Sequence, residues 1–374
     1  MDATYPLVPI ANFIACALAV IPLFHMVNRS WNTGVFVFAL WLFLVSFSTA
    51  LNTIIWSRDA KDRAPVWCDI STHIRVLTAT GFPASSFIIT RRLYKITRLQ
   101  NEIQRRIELL LELAICIGIP ICITGLFYIV QGARYQILEE LGCVQAEDTS
   151  GLSTILIGSW SVIFPFISLI FYAPRIICTF YRHRREMNDL LESFGAELNR
   201  NQFFRMFALG CFDAFITLPI SITSLVANII SIGPWFDFYQ GWTPIHSDWE
   251  PLLLPKSIWS ALKWTVISVY WDEWINPFYA VVFFALFGTT PEARKGYCKL
   301  VRFLVRPFGS RQRDSTEEGL PDVVFKSGRG TNATVTSNIS SRYGISILSA
   351  CRHLFIISHS SPRADVSVKI IIQD

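Results

Sequence analysis

The sequence predicts an all-α membrane protein: a seven-transmembrane-helix bundle, N-terminus outside and C-terminus cytosolic, followed by an amphipathic eighth helix. Three observations carry that prediction. Several apolar runs exceed the roughly 20 residues needed to cross a bilayer. Of the 374 residues 52% are hydrophobic and only 16% charged, with a mean hydropathy of +0.41, where soluble proteins carry about 25% charge. Lys and Arg crowd into alternate connections between the runs, the asymmetry that orients membrane proteins. An aromatic share of 14%, with 12 Trp, suits helices that end at two membrane interfaces.

The first span is about 6–27, with Asp2 ahead of it and Arg29 behind. It lacks a positive leading segment and a small-residue cleavage site, so it reads as a retained helix and not a signal peptide. Asn12 and Pro22 read as packing features. In the second span, 33–56, Ser46, Thr49, Asn52 and Thr53 form one polar stripe. Such a stripe faces other helices, because an unpaired polar group in hydrocarbon is costly. The third span, 69–90, opens on Val66-Trp67-Cys68-Asp69-Ile70, carries Arg75 two turns in and Pro83 mid-segment, and closes on Arg91, Arg92, Lys95 and Arg98.

The fourth span is 109–130, with Gly118 and Pro120; the fifth is 153–180, with Pro165 and Pro174. The sixth, 205–232, holds Asp213 and Pro219. The seventh, 258–287, holds Lys263, Asp272, Glu273 and Asn276-Pro277-Phe278-Tyr279. Pro83, Pro165 and Pro219 are predicted bending points, since each removes an intrahelical hydrogen bond.

The connections fix the orientation. Segment 91–107 has six Lys/Arg against Glu102, while 131–152 has Arg134 against Glu139, Glu140, Glu147 and Asp148. Segment 181–204 adds Arg182, Arg184 and Arg185. Segment 233–257 is aromatic, with Trp235, Phe236, Phe238, Tyr239, Trp242 and Trp249. Twelve Lys/Arg fall on the inner side, counting Arg205 at the start of the sixth span, and five on the outer connections, which selects N-out and C-in. After Gly288, Thr289-Thr290-Pro291-Glu292 starts a helix. Over 290–306 Ala293, Tyr297, Leu300, Val301 and Leu304 share one face, against Arg294, Lys295, Lys299, Arg302 and Arg306. This is the pattern of a helix lying on an anionic leaflet. The helical domain is therefore 1–308. Residues 309–374 form a polar cytosolic tail expected to be disordered, which its apolar stretches 354–357 and 369–372 fit poorly. Sequons at Asn28, Asn332 and Asn338 fall inside and should stay unmodified.

No strand periodicity, long repeat, phosphate-binding glycine loop or nucleophile motif is visible, and the six His and nine Cys lack metal-ligand spacing. No catalytic residue, metal site or cofactor is expected, and the net charge of +5 does not imply nucleic acid. Cys16, Cys116, Cys122, Cys178 and Cys211 lie in the spans, and Cys298 and Cys351 are cytosolic. Cys68 and Cys143 alone face the oxidising side, and they predict one disulfide pinning the second outer connection over the bundle. Within the spans Arg75, Asp272 and Glu273 must be paired or hydrated, since an isolated charge at mid-membrane costs about 2.5–3.5 kcal/mol. Either Arg75 pairs with one of the two acids, linking the third and seventh helices, or it reaches outward to water. Together with Asp213 and Lys263 these charges leave secondary transport as an alternative function, although no repeat relates the two halves. The basic inner surface, Arg91, Arg92, Lys95, Arg98, Arg182, Arg184 and Arg185, either only sets topology or also receives an acidic or amphipathic partner helix.

Seven helices with Trp67-Cys68-Asp69-Ile70 opening the third resemble the fungal mating-pheromone receptors of the a-factor (lipopeptide) receptor type, class D G-protein-coupled receptors. Arg134-Tyr135 through Glu139-Glu140-Leu141-Gly142-Cys143, the opening of the sixth helix at 201–207, and Phe284-Ala285-Leu286-Phe287-Gly288 look like the same pattern. The resemblance covers about residues 5–305 and is most like basidiomycete members. It implies a multi-pass plasma-membrane receptor, not an enzyme. Its ligand would be a short peptide ending in a farnesyl-cysteine methyl ester, and its signal would pass to a cytosolic heterotrimeric G protein. Ligand contacts are then expected at Arg75, Trp235, Tyr239, Trp242, Asp272 and Glu273, and G-protein contacts along the basic inner surface. Thr90-Arg91-Arg92 closes the third helix where larger receptor classes have Asp/Glu-Arg-Tyr, and Asn276-Pro277-Phe278-Tyr279 is one residue short of Asn-Pro-x-x-Tyr. Inner-face switches therefore do not transfer from those classes. Pairing with a second copy of the chain is left open.

Overall fold

The computed structural model describes residues 5–26, 33–97, 105–182, 200–232, 238–261 and 263–289. Among these, seven long helical segments follow one another. The first three are α1 (Leu7–Met26), α2 (Thr33–Ile55) and α3 (Pro65–Thr97). Segment α4 (105–130) joins Arg105–Leu113, a wide π turn at Ala114–Gly118, Ile119–Phe127 and a tight final turn at Tyr128–Val130. Segment α5 (151–182) contains two π turns, Thr154–Gly158 and Ser168–Tyr172; α6 is Arg200–Ile232; α7 is Lys263–Phe283, closed by a π turn at Phe284–Gly288. Among the described residues four stretches are long and apolar enough to cross a membrane: Thr33–Ile55, Arg106–Val130, Trp160–Thr179 and Phe204–Val226. Leu7–Leu23 is a shorter apolar helix.

The polar character of α3 has a structural reason. It packs against α2, α4, α5 and α6, so its side chains meet protein on almost every side. Ser71, Thr72, Thr78, Thr80, Ser85, Ser86 and Thr90 are all buried. Two of these hydroxyls bond back to the helix's own carbonyls, Thr78 Oγ1 to Ile74 O at 2.9 Å and Thr90 Oγ1 to Ser86 O at 3.0 Å, and Ser71 bonds across to Ser48 and Asn52 of α2. A central helix can therefore be less apolar than its lipid-facing neighbours.

Small residues set the spacing around it. A Cβ on Gly34 of α2 would stand 2.8 Å from Ile89 Cγ1 and 2.9 Å from the Ser85 carbonyl oxygen of α3. Near this contact Phe38, Phe82, Tyr279 and Phe283 pack α2, α3 and α7 together, with Phe38 and Phe82 edge-to-face at 5.1 Å and Phe82 and Tyr279 stacked at 6.0 Å. Offset and edge contacts of this kind add specificity to simple burial.

Three expectations need correction. A sheet is present although no strand was expected: β1 (Gln136–Leu138) pairs antiparallel with β2 (Gly142–Val144) and parallel with β3 (Leu252–Leu254). Three-residue strands are too short to show a period of two. The third helix begins at Pro65 and runs to Thr97, so Arg91, Arg92 and Lys95 lie on its last turns and not in a loop. Proline suits a helix start, and cations suit a helix C-terminus. The expected seventh span from 258 is broken: Lys256–Trp259 is a separate turn, and the long helix starts at Lys263.

Pro83, Pro165 and Pro219 lie inside continuous helices. The π turns at Ala114–Gly118 and Ser168–Tyr172 precede Pro120 and Pro174 by two residues. The amphipathic segment 290–306, the tail, Arg98, Arg184, Arg185 and Trp235 fall outside the described residues.

Gly34→Ala should force α2 and α3 apart at a backbone contact and cost about 1–3 kcal/mol, the usual penalty of overpacking. Thermal unfolding of the purified protein should show a clear drop; an unchanged midpoint would mean the contact is slack.

Candidate functional site

The bundle has two unlike ends, one covered by the small sheet and one rich in Arg and Lys. At the hairpin end Cys68, at the start of α3, and Cys143, in β2, form a disulfide with Cα atoms 5.3 Å apart. Both are fully buried, beside Trp56, Tyr135 and Ile137. Asn52 of α2 sits at the junction. Its Oδ1 accepts from Trp67 Nε1 at 2.8 Å, and its Nδ2 donates to Ser71 Oγ at 2.7 Å and to the Cys143 carbonyl at 3.3 Å. Gly142 has φ +89°, and a Cβ there would lie 2.7 Å from Asn52 Cβ. Only glycine meets both demands, the left-handed backbone and the close approach.

Charged pairs hold the rest of this cover. Arg134 donates to Asp69 through two bonds, Nε–Oδ1 at 3.0 Å and Nη2–Oδ2 at 2.7 Å, and the hydrogen bond to Asp69 keeps the guanidinium more basic than usual. Tyr135 donates to Asp62 at 2.8 Å; burial, then that bond, raises the phenol's pKa. Lys256 Nζ lies 2.7 Å from Glu140 Oε1, and its backbone N–H donates to Glu139 Oε2 at 2.7 Å. The acidic connection read from the sequence thus spends its charge on α3 and on the approach to α7.

Arg75 and Asp272 meet, with Nη2 2.5 Å from Oδ2, so α3 and α7 are joined by an ion pair. The arginine side chain is 11% exposed and the aspartate 41%. Glu273, about 100° further round the helix, is buried. It lines a small cavity with Tyr5, Thr53, Ser57 and Glu140, while its backbone carbonyl accepts from Asn12 of α1 at 3.2 Å. The two adjacent acids therefore serve different neighbours.

Of the aromatic candidates, Trp242 is exposed and stacks on His246, with ring centroids 4.0 Å apart, against Tyr128 at the end of α4. Tyr239 is half-buried. No hydrogen bond, ion pair or ring contact joins Trp242 to Arg75 or Asp272 among the described residues.

At the basic end, two expected partner contacts are engaged within the chain. Lys95 pairs with Glu108, and Arg92 Nη1 lies 3.8 Å from Glu112 Oε2, which is buried. Glu108 and Glu112 are one turn apart on α4, as Arg92 and Lys95 are on α3. That spacing was the available signal. Asp213, noticed only as a charge inside a span, is buried and accepts at Oδ1 from Thr217 at 2.8 Å and from Tyr279 at 3.0 Å. It joins α6 to α7. Arg182 lies in α5, and Arg91 is half-buried.

A bundle of apolar helices around a polar central helix, covered at one end by a disulfide-anchored sheet, places the molecule among helical membrane proteins. Within that class the chain belongs to the STE3 family, the pheromone A receptors, which it matches over residues 7–307. This is a receptor family and not an enzyme class. The chain is 31% identical to the pheromone B alpha 3 receptor of Schizophyllum commune over 326 residues, 84% of this chain and 50% of that protein. It is 28% identical to pheromone receptor 1 of Mycosarcoma maydis over 298 residues, 77% of this chain and 81% of that one. To the pheromone a factor receptor of Saccharomyces cerevisiae it is 22% identical over 297 residues, 77% of this chain and 60% of that one. The chain spans about half the length of the curated Schizophyllum relatives it matches.

Cys68→Ser and Cys143→Ser should have the same effect, because each frees a connection 75 residues long, worth about 4 kcal/mol in chain-entropy terms. Thermal unfolding and surface labelling check this; one variant behaving as wild type would show the bridge to be dispensable. For the ion pair, Arg75→Ala and Asp272→Ala should each lower the thermal unfolding midpoint, with the double variant no worse than either. Glu273→Ala should add independently. Strict additivity of Arg75→Ala and Asp272→Ala would show that the two groups do not act as a pair.

Proposed function

We propose that this chain is a plasma-membrane G-protein-coupled receptor for a peptide mating pheromone carrying a C-terminal farnesyl group. The observation that carries the reading is the family match, which extends over all seven long helical segments. On this reading the seven segments span the membrane with the N-terminus and the hairpin end outside, where a disulfide is chemically at home. The C-terminus, the amphipathic segment 290–306 and the tail 309–374 are cytosolic.

The ligand engages the hairpin end. Arg75, Asp272 and Glu273 offer charge to the peptide, and Trp235, Tyr239 and Trp242 offer aromatic surface to its isoprenoid or apolar side chains. A charged peptide group competing for Arg75 or Asp272 loosens the link between α3 and α7. Each buried CH₂ of a lipid chain contributes about 0.8 kcal/mol, so a farnesyl group concentrates the peptide in the bilayer before it reaches the bundle. At the cytosolic end Arg91, Arg92, Lys95, Arg98, Arg182, Arg184 and Arg185 face the heterotrimeric G protein. Arg92 and Lys95 become available to acids of that partner when they leave Glu112 and Glu108. Lipid headgroups are the remaining partners, with a second copy of the chain still open.

The test uses the full chain in lipid nanodiscs with a purified heterotrimeric G protein and synthetic peptides ending in cysteine methyl ester, with and without farnesyl. Farnesylated peptides should drive nucleotide exchange, and their unprenylated counterparts should lose about 100-fold or more in potency. Equal potency would sink the lipid requirement, and no exchange with any peptide across a broad set would sink the receptor reading.

The tail is proposed as a regulatory segment phosphorylated among Ser315, Thr316, Ser327 and Ser337, which adds charge that a desensitising partner can read. Truncation after Gly309 should leave signalling intact and slow its shut-off in a time course; failure to insert in the membrane would contradict this.

A further inference from the structure

The small sheet has two edges, and they are finished differently. At the β2 edge the Cys143 carbonyl accepts from Asn52 Nδ2 at 3.3 Å. β3 forms the other edge, and the parallel ladder decides which of its backbone groups face outward. The Leu252 N–H donates to the Tyr135 carbonyl at 3.0 Å, and the Leu254 carbonyl accepts from the Glu139 N–H at 3.1 Å. Both residues therefore turn their backbone groups to β1. Successive strand residues turn those groups to opposite sides, which leaves the N–H and C=O of Leu253 pointing away from the sheet. Among the described residues neither group has a partner.

The flanks limit what can pair there. Pro251 and Pro255 have no N–H, so a chain laid along β3 finds a donor at Leu253 alone, and its register is set at that residue. Proline on both sides also blocks open-ended strand addition. Leu252 and Leu253 are each 48% exposed and project to opposite faces, which offers an added strand apolar contact on both sides of the pairing. Asp248 and Glu250, both exposed, precede the strand, while Lys256 behind it is held by Glu140. The exposed charge beside the edge is therefore acidic. An outward N–H and C=O on one residue is complementary to the backbone of an extended peptide, and the acids favour a peptide carrying basic groups.

We propose that β3 is a docking edge for an extended stretch of a basic peptide ligand, one residue of which exchanges two backbone hydrogen bonds with Leu253. It rests on the receptor reading and gives the peptide backbone a contact of its own, apart from the side-chain contacts at Arg75, Asp272 and the aromatic rings. The edge supplies affinity and register, and the side chains around it supply selectivity.

The test uses the full chain in lipid nanodiscs and pools of short synthetic peptides of random sequence ending in farnesyl-cysteine methyl ester. Retained members are identified by mass spectrometry and their affinities measured one by one. Basic members should be retained in preference to acidic ones. Leu253→Val keeps the backbone donor and should bind as wild type. Leu253→Pro removes an N–H that the ladder does not use, a change edge strands tolerate. It should bind about tenfold more weakly, the scale of a lost hydrogen bond with its acceptor left unpaired. In the wild type a bound peptide should protect the Leu253 amide from hydrogen exchange, which carries the test if Leu253→Pro does not fold. Equal affinity for wild type and Leu253→Pro, an equal loss in Leu253→Val, a Leu253 amide that exchanges freely under bound peptide, or a preference for acidic members would each overturn the docking edge and leave the receptor reading standing. Protection of Leu253 before any peptide is added, lost in nanodiscs holding a single copy, would give the edge to a second copy of the chain and overturn the proposal. Retention of no peptide at all would overturn both readings.

Discussion

The side-chain amide of Asn52 is the point on which the hairpin end depends. Three pieces of chain meet there, and each uses one of its polar atoms: Trp67 at the start of α3, Ser71 one turn further in, and the backbone of Cys143. Buried donors and acceptors without partners are costly, so the amide can lie only one way round, and it fixes β2 at the distance at which the disulfide closes. Gly142 then has to pass against Asn52 with no side chain of its own. The antiparallel hairpin, the strand laid beside it and the Lys256 contacts follow from that placement.

How far the sequence foretold this varied with the kind of signal. The helical segments were legible because an apolar run of about 20 residues matches the thickness of a bilayer and little else in a folded protein. The third and seventh were betrayed more by their flanks than by apolarity, since buried hydroxyls dilute α3. The pairing of Cys68 with Cys143 was legible by compartment. That Arg75 had to be either paired or hydrated was legible, but not which of the two, and the choice of acid depended on helix rotation, since adjacent acids look alike in sequence. The sheet was illegible, because its strands are three residues long and one is Leu252-Leu253-Leu254. Asn52 stood out only as part of a polar stripe. Its three bonds reach across 15, 19 and 91 residues, and no local pattern predicts where a long chain returns.

The same helix is anchored at both ends, to different neighbours. Near the hairpin α3 is tied to α7 through Arg75 and Asp272, and near the basic end it is tied to α4 through Arg92 and Lys95. Between these ties Thr78 and Thr90 bond to the helix's own carbonyls, while Ser86 reaches Asp213 of α6. The glycine contacts and aromatic packing hold the neighbouring helices at a set distance from α3. Asp213, Thr217 and Tyr279 give α6 and α7 their own polar link, so the neighbours of α3 are also fastened to one another.

The parallel pairing of β1 with β3 has a mechanical consequence. The disulfide bonds α3 to β2, the ladder carries that bond through β1 to β3, and β3 ends at Leu254, just short of the helix that starts at Lys263. The entrance to α7 is therefore leashed to the entrance of α3 by covalent and backbone links that do not involve the Arg75–Asp272 pair. If that pair opens, this path still links the two helices at the sheet end. A swing of either helix about that tether would grow with distance from the sheet and be largest at the far, basic end.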